Sequence, residues 1–220
     1  MDSNLGLCAG LIACVAAAAA MHHEAGAQPA RVRTTPITPR AIVLAPARAG
    51  VPPLSVTSPD FASRGSLDRK FMQVVAGGEN KSPALAWSAG PQGTQSYVLI
   101  AEGEGETRAD PTVHWIVYDI PPTATSLPQG VPTDVEIKNP AGAVNGLEDS
   151  VTGREDLSAS PGYRGPNPPP GANHPYYFEV FALDKKLGLN AAEARRTPVI
   201  NAMKGHVLAS GEIMVRYSNK

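Results

Sequence analysis

Two histidines, a tyrosine and two glutamates carry the chemistry that can be read from this chain: His114, His174, Tyr176, Glu102 and Glu104. Imidazole and phenol groups can donate hydrogen bonds to the oxygens of an anion, whereas paired carboxylates suit an ammonium group. Gathered at strand ends, such a set would line a small pocket for a polar head group. His114 lies in an apolar run, and period-two alternation places it with Ile116 and Tyr118, opposite Val113, Trp115 and Val117. By the same rule His174 and Tyr176 share a face, and Glu102 and Glu104 point together if the chain stays extended through Gly103. Each also has a plainer reading: His114 as a hydrogen-bonded core histidine, and Glu102-Gly103-Glu104-Gly105-Glu106 as a solvated acidic turn. His206 reads as a packing residue. The serine-elbow, phosphate-loop and zinc-helix patterns G-x-S-x-G, G-x-x-x-x-G-K-[ST] and H-E-x-x-H do not occur, so no catalytic residue, metal or cofactor is expected.

The elements that must position these residues are strands. Residues 96–101, 113–118 and 176–183 are short runs rich in β-branched and aromatic side chains, and a fourth falls within 207–217. Their few polar interruptions predict that the central strands are covered on both faces. Residues 191–196 and 199–206 read as short helical pieces interrupted by Pro198. From 120 to 171 the chain is turn-rich, and so long a connection inside one domain usually carries function. With 21 glycines and 22 prolines in 220 residues, the class is mainly β with a few flanking short helices, in a folded domain spanning 54–220.

A hydrophobic fraction of 42% with 18% charged residues places the chain among globular proteins, and a net charge of −1 gives no electrostatic footprint for nucleic acid. The N-terminus differs. Residues 5–20 are apolar or small and Ala25-Gly26-Ala27 supplies a small-x-small cleavage pattern, so residues 1–27 read as a signal peptide and the destination as periplasmic or secreted. The run is too short and alanine-rich for an integral membrane span, and no positive residue precedes it. Both cysteines, Cys8 and Cys14, lie inside it; Leu11-Ile12-Ala13-Cys14 also has the form of a lipoprotein box, which makes lipid anchoring at Cys14 a minor alternative. Residues 28–53 hold six prolines together with Arg31, Arg33, Arg40 and Arg48 and no acid, the composition of an extended, solvated linker.

Several motifs follow one another along the chain: Ser58-Pro59-Asp60-Phe61, the stretch from Gly78 to Trp87, the strand from Val113 to Pro121, and Leu127-Pro128-Gln129-Gly130. Gly162-Tyr163-Arg164-Gly165-Pro166, Pro168-Pro169-Pro170-Gly171, His174-x-Tyr176-x-Phe178, Phe181-Ala182-Leu183-Asp184 and the segment from Ala202 to Ala209 continue the series. In this order they resemble the bacterial phosphatidylethanolamine-binding protein family, in its YbhB/YbcL or Raf-kinase-inhibitor-like branch. The resemblance implies a central antiparallel β-sheet packed with a smaller sheet and flanking helices, and a small cleft for phosphate or phospholipid-headgroup anions without turnover. It assigns His114 to the cleft strand, His174 and Tyr176 to the H-x-Y element, and Gly165 and Pro166 to the loop that shapes the wall. Where relatives carry D-P-D-x-P, this chain has Glu102-Gly103-Glu104-Gly105-Glu106, without either proline. The leading expectation is an anion held between His114, His174 and Tyr176, with Glu102 and Glu104 on the opposite wall. The alternatives are a protein-interaction module that inhibits an envelope hydrolase or kinase, and a metal-dependent hydrolase using the histidines and carboxylates.

Overall fold

Strand formation follows the β-branched and aromatic runs. The computed structural model describes residues 38–104, 111–148 and 159–218; the expected signal peptide and the first part of the linker lie outside them. Among the described residues the strands are β1 (Val56–Thr57), β2 (Leu85–Trp87), β3 (Ser96–Gly103), β4 (Thr112–Ile120), β5 (Ser126–Leu127), β6 (Glu136–Lys138), β7 (Ala141–Asn145), β8 (Asn173–Leu183) and β9 (Val207–Ser218). Helix α1 (Ala41–Leu44) precedes them, and α2 (Arg196–Met203) leads into β9. Two antiparallel sheets result, one of six strands in the order β6-β7-β4-β3-β8-β9 and one of three in the order β1-β2-β5.

Every residue of β3 and β4 is buried, as expected of strands covered on both faces. One face of the large sheet presents Leu99, Ala101, Trp115, Val117, Phe178 and Val180 to the small sheet and the loops around it. The other presents Val98, Ile100, Ile116, Tyr118 and Phe181 to Val199, Ile200 and Met203 of α2 and to Ala41. Each large aliphatic side chain so buried contributes about 1.5–3 kcal/mol relative to exposure.

Three of the motif segments meet to fasten the small sheet: Gln129 Nε2 donates to Asp60 Oδ1 at 2.6 Å and the Ala84 amide to Asp60 Oδ2 at 2.7 Å. Pro198 does not interrupt a helix. It stands in the first turn of α2, where an amide would have no partner within the helix, so its missing N–H costs nothing there. His206 is not a packing residue either; its side chain is 42% exposed and its Nδ1 donates to Asp184 Oδ1 at 2.8 Å.

The larger difference concerns the linker. From Thr38 onward the segment read as a solvated spacer lies against the sheet, with Ala41 and Ala45 fully buried in the core shared with α2. Four acidic side chains, Glu102, Glu104, Glu179 and Glu212, hold it there, a long-range partnership that local composition does not encode.

Candidate functional site

His114 owes its orientation to a β-bulge. Ala101 pairs with Trp115 but Glu102 pairs with Val113, so His114 is an extra residue on β4 without a counterpart on β3. Simple alternation would place it with Ile116 and Tyr118. The bulge breaks that alternation and turns the ring to the side of Trp115, where it meets Tyr176 edge-on with centroids 5.3 Å apart. Both side chains are buried, at 4% and 2% exposure.

The space between the rings depends on Gly103, which sits directly opposite Tyr176 in the β3–β8 register. A Cβ at this position would lie 2.9 Å from Tyr176 Cε1 and 3.0 Å from His114 Nε2. Sequence reasoning treats Gly103 as a spacer between two acids. The signal that could have revealed it is alternation itself, which places residue 103 on the face opposite residues 102 and 104.

The glycine- and proline-rich loop fixes the imidazole. Arg164 donates its amide to the His114 carbonyl at 2.8 Å, and His114 Nδ1 lies 2.9 Å from the Arg164 carbonyl. Because a carbonyl only accepts, Nδ1 carries the proton, and Nε2 is an acceptor in the neutral ring and a donor in the charged one. The loop is itself anchored: Gly165 donates to Asn80 Oδ1 at 2.8 Å, Tyr163 Oη donates to the Phe71 carbonyl at 2.9 Å, and the Gln73 amide donates to the Pro166 carbonyl at 3.2 Å. Burial pushes the Tyr163 phenol far up, so it stays a neutral donor. Gly165 is packed so tightly that a Cβ would collide with the Phe71 carbonyl. Asn80, Tyr163 and Arg164 thus support the site although sequence reasoning gives them no role of their own.

His174 follows the same loop. It pairs with Tyr217 on β9 and shares the Tyr176 face, partly exposed where Tyr176 is buried. His114, Tyr176, Gly165 and Pro166 are therefore joined through one network, with His174 next along the strand.

Glu102 and Glu104 are not part of it. Glu102 is fully buried on the other face of the sheet, where it accepts from Arg196 Nε at 2.6 Å and from the Ala41 amide at 3.0 Å. Glu104 Oε1 lies 3.2 Å from Arg40 Nε. The expected carboxylate wall opposite the histidines is absent from this geometry because the same alternation that directs Gly103 toward the rings directs its neighbours away. Arg40 also meets Glu179 Oε1 at 2.7 Å and Glu212 Oε2 at 2.6 Å, and stacks 3.6 Å above the Tyr177 ring. Burial, and next the charge of Glu102, push the Glu179 carboxyl up to about 9 despite the opposing pull of Arg40.

Beyond Arg164 lies a cavity of about 480 Å³, lined by Gln73, Val74, Thr133, Glu148 and Tyr163 among others and not by His114, His174 or Tyr176. Glu148 accepts from Arg164 at 3.3 Å, and burial raises its carboxyl above the ordinary range. Among the described residues, no group of three His, Cys, Asp or Glu is placed to hold a metal ion, and no helix is long and apolar enough to cross a membrane.

Residues 57–218 match the family model described as phosphatidylethanolamine-binding protein. The chain belongs to the phosphatidylethanolamine-binding protein family. It is similar to a UPF0098 protein of Methanothermobacter thermautotrophicus, 35% identical over 157 residues that cover 71% of this chain and 93% of the relative. YbcL of Escherichia coli is 33% identical over 147 residues, 65% of this chain and 74% of YbcL. The crystal structure of YbcL superposes with a TM-score of 0.67 at 28% identity, covering 77% of this chain and all of that one. A homolog of the family from Chlamydia trachomatis gives 0.62 at 30% identity, covering 76% of this chain and 99% of its own. The two antiparallel sheets with few helices are thus the family's fold, as the motif resemblance implied.

Proposed function

We propose that this chain is an exported ligand-binding protein of the family that holds a phosphate-type anion, free or as a phospholipid head group, without catalysing its turnover. The observation that carries this reading is the bond from His114 Nδ1 to the Arg164 carbonyl, which commits the opposite nitrogen to the side of Tyr176 and Gly103. The phenol donates to anionic oxygens there, and the imidazole does so through Nε2 in its charged form; charge-assisted bonds of this kind are the stronger class. His174, partly exposed and two residues from Tyr176, supplies a third donor toward solvent. The Gly165–Pro166 backbone supports the wall. Export is supported by residues 5–20 and Ala25-Gly26-Ala27.

Thermal unfolding with inorganic phosphate, phosphoethanolamine and a short-chain phosphatidylethanolamine tests the site and separates its possible sources of phosphate. Each effective ligand should raise Tm for the native chain, and His114→Ala and His174→Ala should each weaken apparent binding about tenfold. His174 is partly exposed, so its variant remains informative if the buried His114 variant folds poorly. Full stabilisation retained in His174→Ala and in every folded His114 variant would overturn the site.

A further inference from the structure

The family match begins at residue 57, yet the segment from Pro39 to Leu44 is bound into the sheet by some of the shortest polar contacts of the molecule. Arg40 reaches Glu104, Glu179 and Glu212; the Ala41 and Ile42 amides donate to Glu102 and Glu179, each at 3.0 Å; and Arg196 Nη2 donates to the Pro39 carbonyl at 2.8 Å. Two of the anchored acids, Glu102 and Glu104, flank Gly103, whose backbone forms the floor beneath His114 and Tyr176. The connection continues through the main chain. The Glu104 amide donates to the Pro175 carbonyl at 3.2 Å, and Pro175 stands between His174 and Tyr176.

We infer that Arg40 is a positioning residue for the ligand site: by holding Glu104, and with Ala41 and Arg196 holding Glu102, it sets the place of Gly103 and of the His174–Tyr176 segment from the opposite face of the sheet. The segment ahead of the family-matched residues is then part of the site's construction. Glycine at 103 makes such a clamp necessary, since it leaves the backbone freer than any residue with a Cβ. Both neighbours are tied down by their side chains instead.

This inference rests on the binding reading for its affinity arm, and a second readout keeps the two separable. The imidazole nitrogen resonances of His114 report ring environment whether or not ligand binds. Glu104→Ala removes the contact to Arg40 at a side chain already 38% exposed, which spares the buried charges. Arg40→Lys retains the charge but cannot span three carboxylates with one planar fork. Both variants should shift the His114 resonances and weaken inorganic phosphate binding by about threefold to tenfold. Arg48→Ala, which breaks an exposed pair with Asp184, should do neither and controls for general loss of stability.

Resonances and phosphate affinity at native values in either variant would overturn the inference. If the native chain does not bind phosphate, the binding reading fails while the resonances alone decide the positioning role: shifted in both Glu104→Ala and Arg40→Lys they sustain it, unshifted in either they end it.

Discussion

The two faces of the six-stranded sheet solve opposite problems with adjacent residues of one strand. On one face β3 contributes Gly103, and two uncharged-capable rings approach through the room it leaves. On the other it contributes Glu102, with Glu104 directly beyond its end, and these with Glu179 and Glu212 surround Arg40 and Arg196. A buried charge is tolerated when its partners are satisfied, and removing one partner is costlier than never having had the pair. The ring face is therefore sensitive to volume and the acid face to charge.

The largest effect should come from breaking the acid face at its most buried point. Glu102→Ala leaves Arg196 and the Ala41 amide without their acceptor and should destabilise the protein by about 3–5 kcal/mol in urea unfolding. A loss below about 1 kcal/mol would mean that the pair is not a structural anchor. On the ring face, Gly103→Ala adds a single methyl where 2.9–3.0 Å is available. It should cost about 1–3 kcal/mol and remove stabilisation by phosphate; a variant that keeps both stability and phosphate response would show that the rings can separate without consequence.

The effect that is smallest per step sharpens the comparison by pH. Glu179 has an ordinary value of 4.5 and is raised to about 9 in the fold, so the native state holds an extra proton between these limits. That contribution to stability is complete at the acidic end and is lost as pH rises through about 9. Urea unfolding between neutral pH and the native value should show stability falling by at most about 1.4 kcal/mol per pH unit. Glu179→Gln, which cannot release that proton, should flatten the slope; an unchanged slope would place the proton elsewhere.

Much of the fold is legible in the chain. The runs at 96–101, 113–118, 176–183 and 207–217 became β3, β4, β8 and β9, and the ordered motifs lead to the family that residues 57–218 match. Of the residues singled out for the candidate site, His114 and Tyr176 do meet. Three features were not legible in the chain. The bulge at His114 depends on which residues of β3 face β4, Arg164 acts through its backbone, and Arg40 finds its acids more than 60 residues away in sequence.

Local pattern alone determined where strands form, because alternation and side-chain shape act between neighbours along the chain. Only the tertiary structure decided which face each polar group occupies. One unpaired residue in a ladder reverses the side to which its ring points, and a proline-rich segment becomes ordered only when carboxylates from three separate strands converge to receive it.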